Sequence, residues 1–219
     1  MKIFLDTAHI QNIQKWSNSG LIDGITTNPT SLSKEAGLPI EVIKNICKLM
    51  GDSPVSVEVT EKDPNAVFEQ AKKIAAISDN VVVKIPCWPE YCSVIKKLVD
   101  ANISLNITLV FTALQGLMMA KLGVDYISPF IGRLEDIDGA GLQVVSDVRE
   151  IFDTYGYETE ILAASVRSVW HMHQAALHGA DIVTVSTDIF EKSLYHPLSE
   201  IGIDIFEADW KKLGVKQFP

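Results

Sequence analysis

Short apolar runs alternate with longer stretches of helical periodicity along the whole chain, and this alternation is its strongest signal. Residues 2–6 read as a strand and 10–19 as a helix. Residues 22–26 form a second strand, followed by the turn-like Thr27-Asn28-Pro29-Thr30. A helix over 39–50 carries Ile40, Ile43, Ile46, Cys47 and Met50 at helical spacing. Residues 55–59 are a strand, and 64–77 a helix with Asp63 as its cap and Pro64 in its first position. Then come strand 81–85, helix 89–100, strand 103–109, helix 111–122, strand 126–129 and helix 138–153. Strand 160–164, helix 167–178, strand 181–185 and a helix near 188–194 follow, and an amphipathic helix at 200–213 ends the series.

Eight strands each followed by a helix is the count of a (β/α)8 TIM barrel; a doubly wound open sheet is the rival. Parity inside the strands favours the barrel. Over Asn102-Ile103-Ser104-Leu105-Asn106-Ile107-Thr108-Leu109, even positions are polar and odd ones apolar. Val55, Val57 and Val59 flank Ser56 and Glu58 in the same way. Odd residues facing helices and even residues facing a filled interior produce this pattern. Central strands of an open sheet are more often apolar on both faces. No stretch rich in Pro, Gly or Ser breaks the chain, so a single α/β barrel domain over residues 1–219 is expected, with the C-terminal helix as an addition.

The 219 residues carry a formal charge of −9, and 47% are hydrophobic, enough to bury a core. An acidic chain without a basic run is a poor nucleic-acid binder. No apolar stretch approaches the ~20 residues needed to span a membrane. The start, Met1-Lys2-Ile3-Phe4-Leu5-Asp6, meets a carboxylate too early for a secretory signal. Three cysteines, Cys47, Cys87 and Cys92, form no Cys-x-x-Cys pair and read as reduced thiols of a cytoplasmic protein. The histidines lack zinc-ligand spacing, and no P-loop or Gly-x-Gly-x-x-Gly occurs, so neither a metal nor a nucleotide cofactor is expected. Glu135-Asp136-Ile137-Asp138-Gly139 looks like half a calcium loop without its remaining ligands, and Asp138 reads as a helix cap.

Lys84 is out of place, preceded by three valines and followed by Ile85-Pro86. Desolvation drives an amine toward its neutral form, and a neutral amine attacks carbonyls to give a Schiff base. The alternative is a lysine that snorkels to solvent or pairs with a carboxylate. Asp6, Glu58, Asn106, Thr108, Ser128 and Ser165 share inward parity or a strand end with it. Strand C-termini of a barrel converge on one mouth, where its chemistry lies. Two carboxylates, a lysine, hydroxyls and an amide suit multi-step proton transfer around a carbonyl. Arg133 and Arg167 follow late strands, where barrels often hold a phosphate; Arg133 pairing with Glu135 or Asp136 is the alternative. Cys87 reads as a packing residue, since no base is evident beside it.

Several separated motifs then carry a family resemblance over essentially the whole chain. They are Leu5-Asp6-Thr7-Ala8, Gly24-Ile25-Thr26-Thr27-Asn28-Pro29-Thr30, Val82-Val83-Lys84-Ile85-Pro86, Ile127-Ser128-Pro129-Phe130-Ile131-Gly132-Arg133 and Ala163-Ala164-Ser165-Val166-Arg167. In this order they resemble the short bacterial-type branch of the transaldolase family. The resemblance implies transfer of a dihydroxyacetone unit between sugar phosphates. Sedoheptulose 7-phosphate or fructose 6-phosphate would be the donor, and glyceraldehyde 3-phosphate or erythrose 4-phosphate the acceptor. Lys84 is then the Schiff-base residue. Glu58 and Thr108, with a water, shuttle its protons, and Asp6 takes the C4 hydroxyl proton. Thr26, Asn28, Asn106, Ser128 and Phe130 line the fragment's site, while Arg133, Ser165 and Arg167 hold the phosphate. The implied chemistry needs no cofactor. A sister aldolase branch, cleaving fructose 6-phosphate to free dihydroxyacetone, has Gln and Tyr where this chain has Glu58 and Phe130. It also tends to lack an amide at the position of Asn106. A non-catalytic sugar-phosphate-binding barrel and an isomerase using Glu58 as base are the other readings. His9 departs from the family's usual Asn. Ile201, Ile205, Phe206, Trp210 and Leu213 form one stripe, and the resemblance implies a homo-oligomer, pentamer or decamer, with terminal helices exchanged.

Overall fold

A computed structural model describes residues 1–214. The chain runs β1 (Lys2–Asp6), α1 (Ile10–Ser17), β2 (Gly24–Thr26), α2 (Pro29–Leu32), α3 (Pro39–Met50), β3 (Val55–Glu58), α4 (Pro64–Ala75) and β4 (Val81–Pro86). A 3-10 turn (Pro89–Tyr91) leads into α5 (Cys92–Asp100), then β5 (Leu105–Val110), α6 (Ala113–Leu122), β6 (Tyr126–Pro129), α7 (Ile131–Glu135) and α8 (Gly141–Tyr155). β7 (Glu160–Ala163), α9 (Val169–Leu177), β8 (Ile182–Val185), α10 (Thr187–Leu194) and α11 (Pro197–Lys212) follow. The strands close in sequence order, β8 pairing with β1, and every pairing is parallel.

Strand parity decides what faces what. Odd-numbered Leu5, Ile25, Val57, Val83, Ile107, Ile127, Ile161 and Val183 join one large apolar layer between strands and helices. Even-numbered Phe4, Leu162, Ala164 and Ile182 form a separate small cluster inside the barrel. Phe4 is the floor of that interior. Its ring occupies the space where a Cβ on Gly24 would sit, 2.6 Å from the nearest ring atom, so only glycine fits beside it on β2. Above this floor the inward residues turn polar, because the cavity opens there to solvent.

Parity changes once. A register irregularity between Ile107 and Val110 gives Leu109 a φ of 57°. The extra residue sends even-numbered Val110 into the outer apolar layer and turns Leu109 toward the cavity. A left-handed conformation in a residue with a Cβ costs roughly 1–3 kcal/mol, and such strain concentrates at functional sites.

Several local expectations need correction. The turn after β2 is a short helix, α2, capped by Asn28. The helix expected over 138–153 is α8, starting at Gly141; a short helix that was not expected, α7, precedes it, and Asp138 lies between the two with φ 59° instead of capping either. The cap position of α8 is Ala140, with no side-chain bond. Asp63 does cap α4, accepting from Asn65 N and Ala66 N. The terminal helix begins at Pro197, and Ile201, Ile205 and Phe206 are each more than half exposed. No helix among the described residues is long and apolar enough to cross a membrane.

Candidate active site

The C-terminal ends of the strands surround a cavity of about 560 Å³. Asp6, Thr26, Asn28, Glu58, Lys84, Ser128, Phe130, Arg133 and Ser165 all line it. Glu58 and Lys84 stand at the same level on β3 and β4, and Asn106 pairs with Lys84 on β5. Lys84 is 6% exposed, so it does not snorkel. Its Nζ lies 3.0 Å from Glu58 Oε2 and donates to the carbonyl oxygen of Thr27 at 3.5 Å. A nucleophile and a proton acceptor are thereby in direct contact.

Asp6 occupies the last position of β1. Burial pushes its carboxyl above the usual carboxylate range; the ammonium of Lys84 and hydrogen bonds from Thr26 and Asn28 pull back, while Glu58 adds to the rise. Asn28 is oriented by its capping role. Its Oδ1 accepts from Ser31 N at 2.8 Å, which leaves Nδ2 to donate to Asp6 Oδ1 at 3.1 Å. From Ser128 on the cavity lining a hydrogen-bond chain runs behind the cavity: Ser128 Oγ donates to Asn106 Oδ1 at 2.7 Å, and Asn106 Nδ2 donates to Ser56 Oγ at 3.2 Å. Both Asn106 and Ser128 are buried, and the chain locks their side chains at defined angles.

Thr108 is fully buried, and its hydroxyl finds no hydrogen-bond partner among the described residues. An unpaired buried hydroxyl costs free energy. Phe130 packs edge-on against Phe111 with ring centroids 6.0 Å apart, and the Arg133 guanidinium lies 4.9 Å from the Phe130 ring centroid. Stacking there, instead of pairing with Glu135 or Asp136, keeps Arg133 on the cavity wall. Ser165 follows β7 with a φ of 57°.

Arg167 alone of the expected phosphate ligands is held off the cavity. Its guanidinium forms a two-pronged ion pair with Asp136, and its backbone N donates to His171 Nδ1 at 3.2 Å. His171 Nε2 lies 3.0 Å from Glu135. The loops after β6 and β7 are thus tied together across the rim. Burial pushes the Cys87 thiol up to about 11, so it stays protonated and packs. His9 is exposed and sits at the cap of α1 without a side-chain bond.

Sequence reasoning missed Thr184, Lys34 and Leu109, which also line the cavity. The inward parity of Thr184 on β8 was readable; the bulge that turns Leu109 inward and the path that brings Lys34 to the rim were not. Among the described residues no group of three or more His, Cys, Asp or Glu side chains is placed to hold a metal ion.

A family model described as transaldolase/fructose-6-phosphate aldolase matches residues 3–217. The chain belongs to this family. A probable transaldolase of Petrotoga mobilis is 47% identical over 97% of this chain and 96% of its own length. One of Lactiplantibacillus plantarum is 46% identical over 99% of this chain and 100% of its own length. Among solved structures, a thiamine phosphate pyrophosphorylase from Pyrococcus furiosus superposes with a TM-score of 0.59 at 16% identity, covering 85% of each chain, and that likeness supports the barrel fold alone. Several of the motifs that carried the resemblance lie at the strand ends that build the cavity.

Proposed function

We propose that this protein is a transaldolase, moving a dihydroxyacetone unit from sedoheptulose 7-phosphate or fructose 6-phosphate to glyceraldehyde 3-phosphate or erythrose 4-phosphate in the cytoplasmic pentose phosphate pathway. The observation that carries the reading is the Lys84 amine, 6% exposed and 3.0 Å from Glu58 at the mouth of a closed barrel. Lys84 Nζ attacks C2 of the ketose, and Glu58 takes and returns the protons as the carbinolamine forms and loses water. The Thr108 hydroxyl, without a partner among the described residues, is left to hold that water. Asp6, with a carboxyl of raised proton affinity, takes the C4 hydroxyl proton. The C3–C4 bond breaks, its electron pair passes into the iminium, and an aldose phosphate leaves. The enamine on Lys84 then attacks the acceptor aldehyde, and Asp6 returns its proton.

Asn28, Asn106 and Ser128 hold the three-carbon fragment's hydroxyls. Ser165 and Arg133 meet the phosphate, and Arg167 joins them by exchanging Asp136 for a phosphate oxygen. Phe130 offers no hydroxyl to protonate the enamine, which favours transfer over release of free ketone. The apolar stripe on α11 suits association with further copies of the chain, so a homo-oligomer is part of the proposal.

Borohydride reduction with fructose 6-phosphate, followed by peptide mapping, tests the chemistry. A three-carbon adduct on Lys84 is expected. An isomerase using Glu58 would keep its activity in Lys84→Met, and a binding barrel would gain stability from the sugar without any adduct. The aldolase alternative predicts turnover of fructose 6-phosphate without an acceptor.

A further inference from the structure

Thr184 points into the barrel from β8, buried, at the level of Phe4 and one layer below Asp6. Its Oγ1 lies 2.6 Å from Oγ1 of Thr26, which is buried on β2. Thr26 is the register partner of Asp6 in the β1–β2 ladder, both side chains line the cavity, and the Thr26 hydroxyl lowers the proton affinity of the Asp6 carboxyl. β8, β1 and β2 are consecutive in the barrel, so the three side chains form a chain across adjacent strands over the Phe4 floor.

Either hydroxyl can donate across the Thr26–Thr184 contact, and the charge of Asp6 selects the direction. A charged Asp6 only accepts hydrogen bonds and draws the single Thr26 proton toward itself. The contact between the two hydroxyls then needs a proton from the other side, and Thr184 is its source. The order is Thr184 to Thr26 to Asp6. Consecutive bonds of this kind polarise one another in a low-dielectric interior. After Asp6 has taken a proton it becomes a donor itself, and Thr26 can accept from it while turning its own proton toward Thr184. The relay therefore reverses with the protonation of Asp6 and fits both halves of a transfer reaction.

We propose that Thr184 is a positioning residue for the carbon–carbon cleavage step: through Thr26 it orients Asp6. The inference rests on the Schiff-base reading above and adds a residue to it. The charged groups that face Asp6 are Lys84 from β4 and Glu58 from β3. Both remain in a Thr184 variant, so any change in the titration of Asp6 reports the hydroxyl chain.

The test compares the unaltered chain with Thr184→Val and Thr184→Ser, with Thr184→Ala as a second hydroxyl-free variant should the valine fold poorly. Borohydride trapping with dihydroxyacetone is expected to label Lys84 to the same extent in all of them, since Asp6 is not needed to form that imine. In Thr184→Val, kcat for donor cleavage should fall about tenfold, the scale of impaired general acid–base catalysis, with the donor KM unchanged. The acid limb of the kcat profile should move up by roughly half a pH unit or more, as expected for a lost hydrogen bond to a carboxylate. Thr184→Ser should restore both. Equal trapping with an unmoved acid limb, or failure of serine to rescue, would overturn this inference alone. Absence of trapping in the unaltered chain would overturn the Schiff-base reading, and this inference with it.

Discussion

Replacing Thr108 by valine separates stability from chemistry at one atom. The Thr108 side chain is fully buried and its hydroxyl has no hydrogen-bond partner among the described residues. Valine keeps the shape and the branching at Cβ, so the rotamer and the ladder bond from Cys87 N to Thr108 O (2.7 Å) are retained. What is lost is a desolvated polar group, whose burial costs about 1–3 kcal/mol. The variant should therefore be more stable by about that amount. For a chain of this size each kcal/mol moves Tm by about 2–4 °C, so the rise should be about 2–12 °C. Calorimetry at equal protein concentration measures it, because self-association also moves Tm. Transfer activity should fall by about 100-fold or more, since a group that positions a proton-shuttling water contributes on that scale. Thr108→Ser, which keeps the hydroxyl, should retain most activity. A valine variant that is less stable than the parent would show that the hydroxyl has a partner. One with near-native activity would remove Thr108 from the mechanism.

Asp6 gives the site a pH signature. Its carboxyl holds a proton more tightly in the folded chain than in the unfolded one, so between the ordinary carboxylate value and the raised one the folded state binds more protons. Stability contributed by Asp6 therefore falls as pH rises through that window, and urea titrations should show Asp6→Asn removing this slope. Gly132→Ala would bring a Cβ 2.5 Å from the Ser165 carbonyl oxygen and 2.7 Å from Arg167 Nε. Overpacking of this kind costs roughly 1–3 kcal/mol, and KM for phosphorylated donors should rise about tenfold while labelling of Lys84 by dihydroxyacetone persists. Phe130→Tyr places a hydroxyl beside the enamine, and acceptor-free release of dihydroxyacetone from fructose 6-phosphate should increase in a coupled assay.

The sequence by itself determined the strands and which face of each looks inward. A two-residue alternation is local, and it marked Glu58, Lys84, Asn106 and Thr108 as interior residues before any contact was known. Lys84 was conspicuous because a charge among valines has few structural explanations. Asp63 was legible as a cap for the same reason: a cap is decided by three or four neighbouring residues. The short helix α7 and the start of α8 at Gly141 were not, because Gly139 and Gly141 are required by contacts with Leu134 and Ile131 that local propensity does not encode.

Tertiary structure decided everything that depends on closure. Asp6 and Thr184 are 178 positions apart in number, yet β1 and β8 pair because the sheet curls on itself. Only that closure lets a threonine on β8 reach Thr26 and act on Asp6. The inward turn at Leu109 depends on the β5–β6 register, and the preference of Arg167 for Asp136 over the cavity depends on how two separate loops meet at the rim. Periodicity records the direction of a side chain, whereas its partner is set by long-range packing of the folded chain.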